Sequence, residues 1–361
     1  MKLHIFNPEH DIALAYNKPH ISVPHAAQEL RMNLGFLPSL WADDGDCVLV
    51  DDIKYALKAS NPLRNLMNDV LFVEKEDIKK LPIDGVLPWG WDKRIRAELS
   101  ENGVGENLLP DANMLDVIRE LSGRCHTVAL LKGLRNGIEN VTCGESFVCS
   151  SNEEIENLLR SYRAIVIKAP WSSSGRGIRY VTGKYDEAKS SWAKKTIMHQ
   201  GYIMAEPYYN KVCDFALEFV ANTDGRVEYR GLSVFHTLNG KYTGNIISSE
   251  EDKRFRLARY VDIDLLDIIT HRLEKSLSEI LNGKYVGRLG VDMMAVADMP
   301  SGKLLLHPCV EINLRSTMGH VALELSAKRM EFASMMSISH EVNYQLKINR
   351  IEGKFVNVIF R

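Results

Sequence analysis

The chain lacks the marks of several large protein classes. Its six cysteines, Cys47, Cys125, Cys143, Cys149, Cys213 and Cys309, form no C-x-x-C pair. Neither a zinc site nor a disulfide scaffold is therefore indicated, and the thiols read as reduced, in a cytoplasmic protein. An excess of one charge is missing too. The net charge is −2, which gives no footprint for nucleic acid or an anionic membrane. No apolar run approaches the roughly 18 residues of a transmembrane helix. The first apolar run is interrupted by His4 and meets Asn7 to Asp11, so it reads as a buried first strand and not as a signal peptide. There is no G-x-x-x-x-G-K-[ST] string, no G-x-G-x-x-G string, no internal repeat and no convincing nucleophile triad.

What is present is an ordinary globular composition, 45% hydrophobic and 25% charged over 361 residues. That length suits two or three domains of about 150 residues each. Residues 1–105 alternate short apolar runs with helical patterns. Leu3 to Phe6, Cys47 to Val50 and Gly85 to Pro88 read as buried parallel strands, and a helix starts near Asp92. A small parallel α/β domain is expected there, with ligand-facing loops at the strand carboxyl ends. Residues 106–200 hold helices at Asn113–Leu121, Cys125–Leu134 and Asn152–Arg160, and a strand at Ser146–Val148. A hairpin follows, in which the strand Ala164–Lys168 runs into a Ser/Gly loop and returns at Arg179–Val181. Residues 201–361 read as a larger antiparallel α+β unit. Its strands are Tyr202–Ala205, Asp214–Ala221, Val227–Thr237, Val286–Ala297 and Lys303–Asn313, with an amphipathic helix at Asp264–Leu281.

The chemistry-bearing residues sit at the ends of these strands. Glu311 and Asn313 are two apart, so on a strand they share a face. Asp292, on the preceding strand, adds a second carboxylate. Three hard oxygens from two adjacent strands suit a Mg²⁺ held partly by phosphates, with Mn²⁺ as an admissible substitute. Lys168 ends an apolar strand and enters a loop containing Ser172, Ser173, Ser174, Gly175 and Gly177. Such a loop can offer N–H groups and hydroxyls to phosphate oxygens, though alone it reads equally as a surface hairpin. Glu206-Pro207-Tyr208-Tyr209 follows a strand, and Pro207 interrupts it to make a connector able to hydrogen-bond a purine edge. Asp214 and Glu218, four apart, share a face of the next strand.

In this order the sequence resembles the ATP-grasp superfamily over roughly residues 106–325, and residues 1–105 resemble the small α/β domain that precedes the grasp. The resemblance implies an N-terminal parallel α/β domain (1–105), an A subdomain with a phosphate-covering loop (106–200) and a B/C subdomain with connector and metal ligands (201–361). It implies that Lys168 and the Ser173, Ser174, Gly175 and Gly177 loop hold ATP phosphates, and that Glu206, Tyr208 and Tyr209 hold adenine. It further implies that Asp214 holds ribose and that Asp292, Glu311 and Asn313 hold Mg²⁺. Arg315 matches the arginine after E-x-N that meets the acyl substrate in ligase members. The family's earlier lysine is absent; Leu121-Ser122-Gly123-Arg124 stands there, leaving Arg124 or Lys132 as the second phosphate contact.

The implied reaction is ATP-dependent activation of a carboxylate as an acyl phosphate, attacked by an amine or thiol, with Arg315 and Lys168 as the catalytic charges. A small-molecule kinase, or a nucleotide-binding module without turnover, would use the same residues. A peptide-modifying ligase has less support, because no peptide-binding helix is convincing. Small-molecule carboxylate and amine substrates are the expected partners, and a homo-oligomer is compatible with the composition. Glu9, His10 and Asp11, after the first strand, and Trp89, Trp91 and Arg288 are candidate substrate contacts. Glu9 to Asp11 read equally as a helix start, and the tryptophans as core.

Overall fold

The computed structural model describes residues 1–172, 177–238, 241–299, 301–328 and 332–351. Its first sheet is parallel, in the order β3-β2-β1-β4. The chain lays it down as β1 (Lys2–Ile5), α1 (His10–Tyr16), α2 (His25–Leu34), β2 (Cys47–Leu49), α3 (Ile53–Ser60), β3 (Leu71–Val73), β4 (Gly85–Pro88) and α4 (Lys93–Glu101). These strands are short and apolar because both faces are covered. Leu3 and Ile5 pack with Ile95 and Leu99 of α4 on one side. Val48 packs with Phe6, Trp89 and Leu37 on the other. Strand β3 was not foreseen; only Leu71, Phe72 and Val73 mark it, too few for a pattern.

Next come α5 (Ala112–Leu121), α6 (His126–Arg135), β5 (Phe147–Cys149), α7 (Asn152–Tyr162), β6 (Ala164–Lys168), β7 (Ile178–Thr182), α8 (Glu187–Gln200) and β8 (Ile203–Pro207). The four strands form a second sheet, β5-β8-β6-β7. β6 and β7 pair antiparallel, Lys168 opposite Ile178, as the hairpin pattern requires. β8 belongs to this sheet, so the expected division at residue 200 cuts through it. Pro207 ends β8 rather than breaking it, beyond the reach of β5, where its missing N–H leaves no pairing unmade.

The third sheet has seven strands, in the order β13-β12-β9-β10-β11-β14-β15. It is built from β9 (Lys211–Ala221), β10 (Val227–Leu238), β11 (Lys241–Ile247), α9 (Glu250–Leu257), α10 (Ile263–Leu281), β12 (Gly287–Ala297), β13 (Leu304–Asn313), α11 (Met318–Ala327), β14 (Ser334–His340) and β15 (Tyr344–Arg350). Odd residues of β9 (Phe215, Leu217 and Phe219) pack with Leu266, Ile269, Leu273 and Leu277 of α10. That leaves the even face, with Asp214 and Glu218, for chemistry. Tyr242 to Asn245 is part of β11, paired with β10 and β14. Helix α10 ends as its sequence signals: Asn282 is left-handed at φ 42° and Gly283 follows at φ 72°.

Candidate functional site

Register brings the acidic residues together. Asp292 of β12 lies directly opposite Glu311 of β13 and opposite Ala216 of β9; the next row pairs Gly290 with Asn313 and with Glu218. Directly paired side chains share a face. Asp292, Glu311, Asn313 and Glu218 therefore surround one patch, with Gly290 leaving room at its centre. A Cβ at Gly290 would lie 2.6 Å from Glu218 Oε2.

Two arginines close over this patch. Arg124, buried in the turn before α6, donates to Glu311 Oε1 at 2.5 Å, to the Ala169 carbonyl at 2.5 Å, and to the Ser172 hydroxyl and carbonyl at 2.9 Å each. Burial opposes its charge, but the Glu311 carboxylate outweighs this and raises its pKa. Lys132 instead lies exposed on α6. Arg315 donates to Asn313 Oδ1 at 2.9 Å and straddles the Asp11 carboxylate at 3.1–3.2 Å. Burial works against the Asp11 charge, yet Arg315 wins and holds that carboxyl below its usual range.

Burial and then the Glu311 charge push the Asp292 carboxyl up to about 7, against the pull of Arg315 and the Asn313 amide. Two opposed half-buried carboxylates and an amide oxygen form a hard donor set whose like charges call for a cation. Among the described residues no three His, Cys, Asp or Glu form a metal cluster. A pair of carboxylates with phosphate oxygens is nonetheless the usual Mg²⁺ arrangement. The residues fit that ion.

Above the patch, Lys168 and Glu206 face each other across β6 and β8 in a buried 2.5 Å ion pair. Ser173, Ser174 and Gly175 lie outside the described residues. Gly177 begins the return, its carbonyl accepting the Ala169 N–H at 2.8 Å. Tyr208 is exposed, edge-on to Tyr180. Tyr209 lies edge-on to His307, with centroids 5.3 Å apart. Asp214 accepts from Thr237 at 2.6 Å and from Lys211.

Glu9, His10 and Asp11 are tied into the N-terminal unit. Glu9 is buried between Arg31 (2.9 Å) and Arg94. His10 Nδ1 lies 3.0 Å from Asp92, which also caps α4 through the Arg94 and Ile95 N–H groups. Asn7 donates to the Gly90 carbonyl at 2.9 Å. Of the three, only Asp11 reaches the patch. Trp89, Trp91 and Arg288 converge elsewhere, on a cavity of about 250 Å³ between the first sheet and the far ends of β9 and β12.

Two residues escaped the sequence reading. His307, on the patch face of β13, has both ring nitrogens buried without partners, and burial lowers its pKa to about 3. Glu218 was seen to share a face with Asp214, but its surroundings could not be read. It is buried, accepts from Thr317 Oγ1 at 2.9 Å, and lies 3.1 Å from His320 Nδ1. The absent side chain at Gly319 makes its space. A Cβ there would lie 1.8 Å from Glu218 Oε1. Gly319→Ala is expected to destabilise the fold by about 1–3 kcal/mol in thermal or chemical unfolding. Adding Glu218→Ala should recover part of that loss, whereas strictly additive losses would refute the clash.

No protein-family model matches the chain, and no curated protein matches it in sequence. Solved structures do match in shape. Biotin carboxylase from Campylobacter jejuni, in a β,γ-ATP complex, superposes with a TM-score of 0.51 at 10% identity, over 93% of this chain and 75% of that one. N5-carboxyaminoimidazole synthetase from Staphylococcus aureus, with ADP, gives 0.46 at 12% identity, over 94% and 82%. N5-carboxyaminoimidazole ribonucleotide synthetase from Thermus thermophilus gives 0.46 at 15% identity, over 94% and 83%. At such identities the likeness is one of fold. The chain has the ATP-grasp fold, a small parallel sheet followed by two α+β sheets.

Proposed function

We propose that this protein is an ATP- and Mg²⁺-dependent ligase that activates a carboxylate as an acyl phosphate for attack by an amine or thiol. The observation that carries the reading is Arg315. It is held between Asn313 and Asp11 at the edge of the carboxylate patch, where the first sheet's loops meet the third sheet. A fixed guanidinium there is placed to neutralise an anionic substrate as it reacts.

In this reading Lys168, held by Glu206, neutralises phosphate oxygens. Asp292, Glu311 and Asn313 would hold Mg²⁺, which screens phosphate charge when bound. A substrate carboxylate oxygen attacks the γ-phosphorus of ATP, and ADP leaves. Arg315 stabilises the charge on the transferring group and holds the acyl phosphate for the nucleophile. The amine then attacks the acyl carbon, phosphate leaves, and the nitrogen gives up a proton. The Ser172 to Gly177 segment is proposed to cover the phosphates, with Arg124 at its base.

The test is phosphate release from MgATP with pooled carboxylates, with and without pooled amines and thiols. The expected result is release that requires both pools. Arg315→Met is expected to reduce kcat by at least about 10²-fold while ATP still binds. A stable phosphorylated product formed without any nucleophile would make the protein a kinase. Tight ATP binding with no turnover under any condition would make it a binding module.

A further inference from the structure

We propose that Asp11 anchors the nucleophile, and that the nucleophile is a cationic primary amine and not a thiol. The proposal rests on the ligase reading above and narrows it. Three observations lead there.

The first is position. In that reading Arg315 holds the acyl phosphate. The Asp11 carboxylate lies against the same guanidinium, its oxygens 3.1–3.2 Å from Nε and Nη2. Arg315 also gives Nη2 to Asn313 Oδ1 and Nη1 to the Ser316 carbonyl. One N–H of Nη1 then has no partner among the described residues, so Arg315 can take an acyl oxygen while it keeps Asp11.

The second is availability. Glu9 and His10, next to Asp11 in sequence, are taken up by Arg31, Arg94 and Asp92 inside the N-terminal unit. Asp292 and Glu311 face each other, and Glu218 is sealed at 1% exposure. The Asp11 side chain is 17% exposed and that of Arg315 16%. An ionised carboxylate offers about four acceptor sites. Among the described residues Arg315 is the one side chain that donates to Asp11, so sites remain for a ligand.

The third is charge. A carboxylate beside an arginine that must hold an anion weakens the arginine's pull on that anion. Asp11 nevertheless meets Arg315 across 304 positions of sequence. A bound ammonium removes the penalty. Acyl phosphate, Arg315, Asp11 and ammonium then alternate in sign, and a closed ring of such groups sets the nitrogen beside the acyl carbon. A thiolate would meet Asp11 as a like charge, and a neutral thiol is a weak donor to it.

In the reaction the ammonium releases one proton to water, and its lone pair attacks the acyl carbon. The carbon–oxygen bond to phosphate breaks, and a second proton leaves the nitrogen with the phosphate, giving an amide.

The experiment follows MgATP turnover by the full chain with pooled carboxylates. Hydroxylamine, which is largely uncharged at neutral pH, is compared with a pool of amino acids and alkylamines and with a pool of alkyl thiols. Wild-type protein is expected to form hydroxamate with hydroxylamine and to release phosphate faster with amines than with thiols. In Asp11→Asn the KM for the stimulating amine is expected to rise at least ~10-fold, while the rates with hydroxylamine and thiols fall by a smaller factor. Asp11→Glu should recover part of the amine KM. Both variants are first shown to unfold cooperatively. An unchanged amine KM in Asp11→Asn, whatever the change in rate, would mean that Asp11 merely braces Arg315, and overturns the proposal. Hydroxamate formation with no stimulation by amines, or with more by thiols, overturns it too and keeps the ligase reading. No hydroxamate from any carboxylate removes the ligase reading itself, and the proposal with it.

Discussion

Glu311→Gln is expected to lower MgATP turnover by about 10²–10³-fold, the loss seen when one preorganised charge-stabilising group is removed from an active site. The change is small in shape. The substituted amide keeps an oxygen for Arg124, which Glu311 now holds at 2.5 Å. What is lost is one of two opposed carboxylates, Asp292 and Glu311, directly paired across β12 and β13. With a single carboxylate and an amide, a hard dication loses half of the patch's negative charge. The accompanying sign is that the Asp292 carboxyl relaxes downward, because the Glu311 charge now helps to push it to about 7. The variant should therefore fold, bind ATP more weakly in Mg²⁺, and turn over slowly. Unchanged steady-state phosphate release would remove the metal assignment. Loss of cooperative unfolding would instead show that the carboxylate is needed for Arg124.

The patch was legible in the sequence because its rule is local. Glu311 and Asn313 share a face by the period of a strand, and Asp292 ends an apolar run in the strand before it. Adjacent antiparallel strands joined by a short turn must then bring them close, as the register does. Lys168 was legible for the same reason, a lone charge closing a hydrophobic strand. The partners were not legible. Arg124 meets Glu311 across 187 positions, and Arg315 meets Asp11 across 304. No periodicity encodes such pairs. Glu9 and His10 show the converse. From sequence they are ionisable groups at a strand carboxyl end. In the fold, Arg31 on α2 and Asp92 at the start of α4 take them up. Trp89 packs edge-on against Phe6 at 5.0 Å, as core, and also lines the cavity. The strands β14 and β15 and the helices α8, α9 and α11 were missed. α8 has polar and apolar residues interspersed without a clean stripe, as in Glu187-Ala188-Lys189-Ser190-Ser191-Trp192.

Glu218 leads to the second large effect, on stability rather than turnover. Burial, with the Asp292 charge adding to it, pushes the Glu218 carboxyl up to about 8 from an ordinary 4.5, against the Thr317 hydrogen bond. Geometry agrees. The Thr317 N–H donates to His320 Nδ1 at 3.2 Å, so that nitrogen is an acceptor, and Nε2 faces the Phe219 carbonyl at 3.3 Å. Glu218 Oε2, 3.1 Å from Nδ1, is buried with no hydrogen-bond partner, an environment that favours the uncharged carboxyl. A carboxyl whose folded pKa is raised binds its proton more tightly in the native state. Its stabilisation is complete below pH 4.5 and is lost as pH rises towards 8. Asp292 acts in the same direction with its midpoint near pH 7, so a smaller part of its loss falls between pH 7 and 8. His4, His307 and His320 are lowered by burial, so they act oppositely, and only below about 6.5. Between pH 7 and 8 the larger part of the slope therefore belongs to Glu218. One proton is worth about 1.4 kcal/mol per pH unit. Wild-type protein without Mg²⁺ should accordingly lose about 1 kcal/mol over that unit through Glu218, while Glu218→Gln should have a markedly shallower slope and be the more stable of the two at pH 8. Denaturant unfolding of both proteins at pH 7 and pH 8 measures the difference. Parallel slopes would mean that Glu218 is ionised in the native state, and the neutral buried carboxyl would then be excluded.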